Sequence, residues 1–559
     1  MGTAVLAAVL PAAALAQIAV PPALEPARPG QNLEERVLPK AKPRITAPLV
    51  RDQAAPEDAA RLSFTFRDLR IEGATALGAE ALREAWAHQP GDVVTVQDVF
   101  LFANAVTRLY AEAGYALSFG VVPEQDIENG VVTIRVVEGF VDRIVYAGDD
   151  VEQGGAVHRR LQALAAPVLA SRPLHMPELE RALLLINDLP GLSAAATLSP
   201  APDRLGGADL RIEVTKRPTL STSADYNSFL PASLGRHSVG GTLLVNGFDG
   251  AAGQVRAGRW KSIASDDYWS VFAGLSTAVG HGGLRLGLSG RHSRTAPSDD
   301  LLASLSYEGK SSKASLWLDV PVVRTRARNL NVGLAASLTD TGSEILNDRL
   351  SSDRLRSLEA SASYEFADAT QAVTSVRLGV ARGIDVMGAT GNSRANGELT
   401  YTTALLDVQR RQPMFDLAGG TVSLQLDFRG QAAMGPGGLF SAAECAYGGR
   451  RYGRAYDAGD LSGDHCAMAS LKAGWDRSLR EGLGTGAYAF VDGGMVRQKG
   501  SLLAGDLRTR KASSGGIGLH TKWTDRVTGL VEVARQLTLS TDQGGDQDTR
   551  ALLGITVNF

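Results

Sequence analysis

The chain has 559 residues and a formal charge of −3, so its length argues for several domains and its near-neutral balance gives no general case for nucleic-acid binding. Two cysteines exclude a disulfide-dense scaffold, and 62 glycines without a Gly-X-Y period suit strands and turns rather than collagen. Beyond the N-terminus there is no apolar run of the roughly 18 residues that a membrane helix needs, so any crossing of a bilayer falls to a β-barrel.

The opening MGTAVLAAVLPAAALAQ is apolar and closes with Ala14-Leu15-Ala16, the small-x-small pattern of a cleaved export signal, which predicts a signal peptide over 1–16. Its positive n-region is missing. Residues 17–62 are rich in Pro and Ala and cannot bury enough surface to offset the entropy of ordering, so they read as a tether. Within it, PGQNLEERVLPKAKP has room for one short helical turn between prolines, and plain linker is the competing reading.

From residue 63 the pattern changes. FTFRDLRIEG is strand-like, and TVQDVFLFANAVTRLY places Val99, Phe102, Val106 and Leu109 at helical spacing behind Thr95 and Asp98, a capping-box arrangement. ALSFGVV and VVTIRVVEG then read as strands, the latter preceded by a turn at Asn129-Gly130. A second copy follows: VDRIVYAG, a helical region near 155–168, MPELERALLLIND with Leu179, Leu183 and Ile186 on one face, then LSAAATLSP and ADLRIEVTK. Two small α/β modules of β-α-α-β-β order, 63–139 and 140–216, stand in tandem as an internal repeat.

After residue 217 helical periodicity disappears. VSLQLDFRGQ sets Val422, Leu424, Leu426 and Phe428 against Ser423, Gln425, Asp427, Arg429 and Gln431, a strict period of two. The same alternation recurs in LRLGLSGR, LNVGLAASL and the final LGITVNF, and it suits strands between lipid and a wet lumen. Sixteen candidate strands fit between 217 and 559. Their joins alternate between short ones (Phe248 to Ala251, Gly280 to Gly282, Ala367 to Thr370, Thr524 to Asp525) and long ones (near 293–310, 339–353, 385–396, 435–466 and 538–549). A soluble sandwich has no reason to keep its long loops at one end, whereas an outer-membrane barrel does. The predicted fold is mostly β: a sixteen-stranded transmembrane antiparallel barrel behind two small α/β domains.

The run YAEAGYALSFGVVPEQDIENGVVTIRVVEG (110–139), INDLPG (186–191) and the stretch ending in DLSGDH resemble the outer-membrane transporters of two-partner secretion, the TpsB family that exports haemolysin-like and filamentous-adhesin-like proteins. The resemblance covers nearly the whole chain and implies that the two modules are POTRA domains and that the tether contains a plug helix. Arg454-Ala455-Tyr456 matches the family's Arg-Gly-aromatic triplet at the tip of the sixth surface loop, with Ala455 in place of glycine. Phe490-Val491-Asp492-Gly493-Gly494 matches its F-x-D-x-G strand motif. What this implies is a latch: the loop folds back into the barrel, and Arg454, with Tyr456, meets Asp492 beside Phe490 and Gly494. The alternation of GAYAFVDGGMV is compatible, since Ala487, Ala489, Val491 and Met495 form an apolar outward face that leaves Tyr488, Phe490 and Asp492 pointing inward. The alternative is that Arg454 is one solvated charge among many.

Cys445 and Cys466 bracket the same loop, and in an oxidising envelope they are expected to pair; two free thiols are the alternative. His465 with both cysteines lacks a fourth metal ligand, and Asp457, Asp460 and Asp464 lack EF-hand spacing, so no metal site is expected. No G-x-x-x-x-G-K-[ST], H-E-x-x-H or G-x-S-x-G motif occurs, which argues against an enzyme and against nucleotide-driven transport, and no cofactor is expected. As the resemblance implies, the expected function is a translocation pore in the outer membrane of a Gram-negative bacterium. It takes an unfolded exoprotein partner from the periplasm, where the POTRA domains lie, to the cell surface. Partner recognition is expected on a sheet edge at Val131, Thr133, Arg135 and Val137. Outer-membrane lipid and the outer-membrane assembly machinery are the further partners. A membrane-protein insertase of the same superfamily is the first alternative, and a passive porin or adhesin the second.

Overall fold

The computed structural model describes Arg28 and residues 45–46, 52–149, 151–248, 252–263, 267–298, 300–500, 509–538 and 548–559. The expected signal peptide and the expected plug helix lie outside these residues.

The first module begins after β1 (Ile45–Thr46) with β2 (Ser63–Thr65), β3 (Asp68–Glu72), α1 (Ala79–Arg83), β4 (Val93–Thr95), α2 (Val96–Glu112), β5 (Phe119–Val121) and β6 (Val131–Val137). The capping box opens α2 as its sequence requires: Thr95 Oγ1 accepts from the Asp98 N–H at 3.2 Å and the Asp98 carboxylate accepts from the Thr95 N–H at 2.9 Å. Val99, Phe102, Val106 and Tyr110 of α2 are buried against Val132, Ile134 and Val136 of β6. Asn129 and Gly130 make the turn before β6 with φ of 66° and 70°, a region that glycine and asparagine tolerate.

The second module is β7 (Phe140–Gly148), α3 (Ala156–Ala170), α4 (Met176–Asn187), β8 (Leu192–Pro200) and β9 (Gly207–Lys216), with the sheet order β1-β8-β9-β7. The 17–62 segment is therefore not wholly a tether, because Ile45–Thr46 runs parallel to β8 in register with Ala196 and Thr197. Two β-branched residues, which favour extended backbone, cover a sheet edge whose backbone groups would otherwise face solvent.

The remaining chain closes a sixteen-stranded antiparallel barrel, in which Leu220–Asn227 pairs with Thr549–Asn558 from Ser223↔Asn558 to Asn227↔Gly554. Closure removes the sheet edges that hydrocarbon could not solvate. Along each strand the outward residues are apolar and exposed, as with Leu316, Leu334, Ile517 and Leu519, whereas Asp407, Asp427, Ser470 and Asp492 are buried on the inner side. One expected long loop is absent. Residues 339–353 continue the strands Arg328–Ile345 and Asp348–Ala367, which meet in a turn at Leu346-Asn347 with φ of 52° and 65°. Both central residues at positive φ is the hairpin geometry that follows strand twist. These strands outrun the 9–11 residues needed to cross a bilayer, and beyond it both faces meet water, so the polar stretch lacked the alternation of a strand.

The second module docks on the short-turn end of the barrel. Asp188 of the INDLPG stretch takes a bidentate contact from Arg324, at 2.8 and 2.9 Å, and Glu180 accepts the Arg326 N–H at 2.7 Å. Asn187 holds the end of α4 by donating to Leu183 and Ala194 carbonyls, both at 2.9 Å.

Candidate functional site

The site is built where residues 435–464, between the strands Gly420–Met434 and His465–Arg480, return into the lumen. Two short strands, Cys445–Tyr447 and Leu461–Gly463, pair to form the stem of this insertion. Cys445 is bonded to Cys466 on the barrel wall, so the expected disulfide is present and fixes the stem to the strand it precedes.

At the tip, Arg454 Nη1 lies 2.9 Å from Asp492 Oδ1, and the Arg454 backbone N–H donates to Oδ2 at 3.2 Å. Ser514 Oγ donates to the same oxygen at 3.2 Å, and the Asp492 side chain is fully shielded from solvent. The guanidinium carbon sits 4.0 Å from the Phe490 ring centroid, a cation–π contact inside a dry site, and its Nε donates to the Arg450 carbonyl at 3.1 Å. Glu532, held by Tyr488 Oη at 2.6 Å, lies 3.6 Å from Arg454 Nε. Arg454 thus compensates two buried carboxylates at once. Tyr456 donates to the Thr538 carbonyl at 2.5 Å and packs against Tyr447, with ring centroids 5.7 Å apart.

Gly494 explains why the strand motif ends in glycine. A Cβ there would stand 2.3 Å from Cδ2 of the fully buried Tyr447, and one at Gly453 would meet the same ring at 2.4 Å. The backbone freedom expected of the position held by Ala455 falls instead on Gly453, whose φ is 74°; Ala455 is not in the left-handed region. All five predicted latch residues, Arg454, Tyr456, Phe490, Asp492 and Gly494, therefore meet in one cluster.

Sequence reasoning missed several partners. Arg550, on the last strand, donates to Asp457 at 2.8 Å and to the Tyr456 and Leu230 carbonyls at 3.0 and 2.9 Å, tying the insertion to the barrel's closing seam. Arg394 reaches Asp464 at 2.9 Å and Glu444 at 3.1 Å, and Asp464 also accepts the Lys499 N–H at 2.6 Å, so one buried carboxylate joins three surface loops. Arg451 lies 3.3 Å from Asp427 on the inner wall. Arg28, from the N-terminal segment, is buried beside the same stem, donating to the Ser441 carbonyl at 3.1 Å with Glu444 at 3.8 Å.

The expected recognition edge needs correction. β6, carrying Val131, Thr133, Arg135 and Val137, is the central strand of its sheet, parallel to β3 on one side and antiparallel to β5 on the other. Where β5 does not reach, Gln125 occupies both backbone groups of Thr133, accepting its N–H and donating to its carbonyl at 2.8 Å each. Thr133 therefore has no free backbone group there for strand addition. Nearby, burial raises the Glu138 carboxyl while hydrogen bonds from Thr75, Ala76 and Tyr110 outweigh it, so the group titrates below its ordinary value. Among the described residues no group of three or more His, Cys, Asp or Glu side chains is arranged to hold a metal ion.

The sequence profile described as "Haemolysin secretion/activation protein ShlB/FhaC/HecB" matches residues 206–521, and that of the "POTRA domain, ShlB-type" matches 64–139. The chain belongs to this haemolysin secretion/activation family. Among curated relatives, the heme/hemopexin transporter protein HuxB of Haemophilus influenzae is 25% identical over 241 residues, 42% of this chain and 40% of that protein. The outer membrane transporter CdiB of Dickeya dadantii is 23% identical over 242 residues, 42% of this chain and 41% of its own. The matched part spans about two fifths of the length of these relatives. In three dimensions CdiB from Escherichia coli superposes with a TM-score of 0.74 over 92% of this chain and 94% of that one, at 19% identity, a likeness of fold. As a member of this family, the chain has its barrel in the outer membrane of a Gram-negative bacterium and its POTRA domains in the periplasm. The turns that touch the second POTRA domain are then periplasmic, and the Arg454 loop belongs to the cell-surface end.

Proposed function

We propose that the barrel is a gated conduit through which an unfolded exoprotein partner passes from the periplasm to the cell surface, with no nucleotide hydrolysis. The observation that carries this reading is the loop seated in the lumen by Arg454 and Asp492. A barrel of sixteen strands leaves an aqueous channel unless something fills it, and a filling held by a few charged contacts can yield as a unit. The N-terminal segment supports the reading from both ends. Arg28 lies at the stem of the loop, while Ile45 and Thr46 lie on β8 in the periplasm, so the segment meets both the gate and a POTRA sheet.

Partner capture is assigned to the POTRA sheets, whose edges suit strand addition to an extended polypeptide. The β8 edge is the one the chain itself already uses, and a partner strand added there would displace Ile45–Thr46. Family membership favours secretion over the insertase, porin and adhesin readings. The test is removal of residues 63–216, which takes away both modules and the β8 edge. Barrel assembly, followed by heat-dependent gel mobility, is expected to survive while capture of the exoprotein partner is lost; normal capture by the shortened chain would refute a recognition role.

A further inference from the structure

At the periplasmic rim, a cavity of about 330 Å³ opens between α3 of the second POTRA domain and two strand-joining turns of the barrel. Arg159 and Arg160 enter it from α3 and His281 from the turn after Val279, while Ala156, Ala163 and Ala252 give it a small-residue apolar wall. Arg160 donates to the Gly280 carbonyl at 3.2 Å, and Arg159 donates to the Gly154 carbonyl. A guanidinium has five donors, so both keep most of theirs for another acceptor. Among the described residues neither arginine forms an ion pair, and no carboxylate lines the cavity.

The depth of this cavity follows from the strand ends. Val279 and Leu286, on the two strands joined by this turn, point outward and are exposed, as is Phe248 on the neighbouring turn. Gly280 follows Val279 directly. The two guanidiniums therefore sit one step below the apolar lipid-facing band, at the level of the headgroups of the periplasmic leaflet. Clusters of arginine at that level attract anionic headgroups, and the planar fork matches phosphate oxygens bidentately.

We propose that this cavity binds the phosphodiester of an anionic phospholipid of the phosphatidylglycerol type, with Arg159 and Arg160 on the phosphate and the acyl chains against Val279 and Phe248. A zwitterionic headgroup brings its own cation towards two arginines and is disfavoured. An occupied site pins α3, and with it the second POTRA domain, to the membrane surface beside the barrel mouth.

Native mass spectrometry of the full-length protein released from detergent micelles containing phosphatidylglycerol or phosphatidylcholine tests this. The wild-type chain is expected to retain phosphatidylglycerol in preference to phosphatidylcholine, and Arg159→Gln/Arg160→Gln to lower phosphatidylglycerol retention at least fivefold. Ala163→Leu, which intrudes into the cavity beside both arginines and keeps both charges, is expected to lower it as well, and heat-dependent gel mobility confirms that each variant is folded. Unchanged retention in the double variant overturns the site. Unchanged retention in Ala163→Leu reduces it to diffuse surface charge and overturns it equally. Displacement by glycerol 3-phosphate at equal concentration would show a soluble phosphate ester to be the ligand and overturn the lipid assignment.

Discussion

Arg454 and Asp492, 38 positions apart in the chain, face each other at 2.9 Å, and the arginine is the larger part of what keeps the aspartate's charge compensated. The pair is geometrically demanding because the same guanidinium also sits over Phe490, its carbon 4.0 Å from the ring centroid. An ammonium group can supply the charge but neither the fork nor the stacking surface. Arg454→Lys is therefore expected to loosen the loop without dissolving the barrel, increasing open-channel time in planar bilayers severalfold. Wild-type gating by this variant would show that charge alone seats the loop.

Gly493 and Gly494 offer a matched pair of tests on adjacent residues. A methyl group at Gly493 meets nothing within 4 Å, whereas one at Gly494 meets the Tyr447 ring at 2.3 Å. Tyr447 is fully buried and has no room to withdraw, so overpacking of this kind costs roughly 1–3 kcal/mol. Gly494→Ala is expected to expose the loop to protease added outside whole cells, while Gly493→Ala leaves the digestion pattern unchanged. Equal patterns for the two would remove Tyr447 from the seat.

The Cys445–Cys466 bond closes a segment with a sequence separation of 21 and contains the whole tip between its ends. In the chain-entropy account such a closure restricts an open loop by on the order of 3 kcal/mol. Cys445→Ser is expected to leave heat-dependent barrel mobility intact and to speed external proteolysis between 448 and 460. An unchanged digestion rate would mean that the Arg394–Asp464 contacts fix the stem by themselves.

Much of this was legible in the sequence, and the boundary of legibility has a physical cause. Period-two alternation reports which side of a wall a residue faces, so Asp492 and Phe490 could be placed in the lumen from the chain alone. Family resemblance then supplied Arg454. Alternation carries no information on what lies across the lumen, which is why Arg550, Arg394 and Tyr447 gave no signal. The expected edge at Val131–Val137 failed for a related reason. Its neighbour β3 is more than sixty positions earlier, as in Asp68↔Val131, and a parallel crossover of that length leaves no local trace. Residues 339–353 misled in the opposite direction, because strands wet on both faces lose the apolar half of their pattern.

Glu138 makes the first POTRA domain sensitive to acid. Its carboxylate collects the Thr75 and Ala76 N–H groups at 2.7 Å and Tyr110 Oη at 2.8 Å, and these bonds hold it below its ordinary value of 4.5 despite partial burial. Because the folded form binds the proton more weakly than the unfolded one, the stabilisation is complete above pH 4.5 and is lost as pH falls towards and through the lower folded value. A full-length chain that keeps Trp86 and has phenylalanine at its other five tryptophan positions, followed by fluorescence, is expected to lose thermal stability of this domain in acid, and Glu138→Gln to flatten that dependence while lowering stability at neutral pH. A variant with the wild-type acid profile would assign the sensitivity to another group.

Secretion by Arg454→Ala tests the gate most directly. Removing one partner of a buried ion pair typically costs 3–5 kcal/mol locally, and here the loss falls on a loop tip rather than on the hydrogen-bonded wall. Cells carrying matched amounts of heat-modifiable barrel are expected to release no exoprotein when position 454 is alanine and normal amounts when it is arginine. Normal release by the alanine variant would contradict the claim that this contact governs passage.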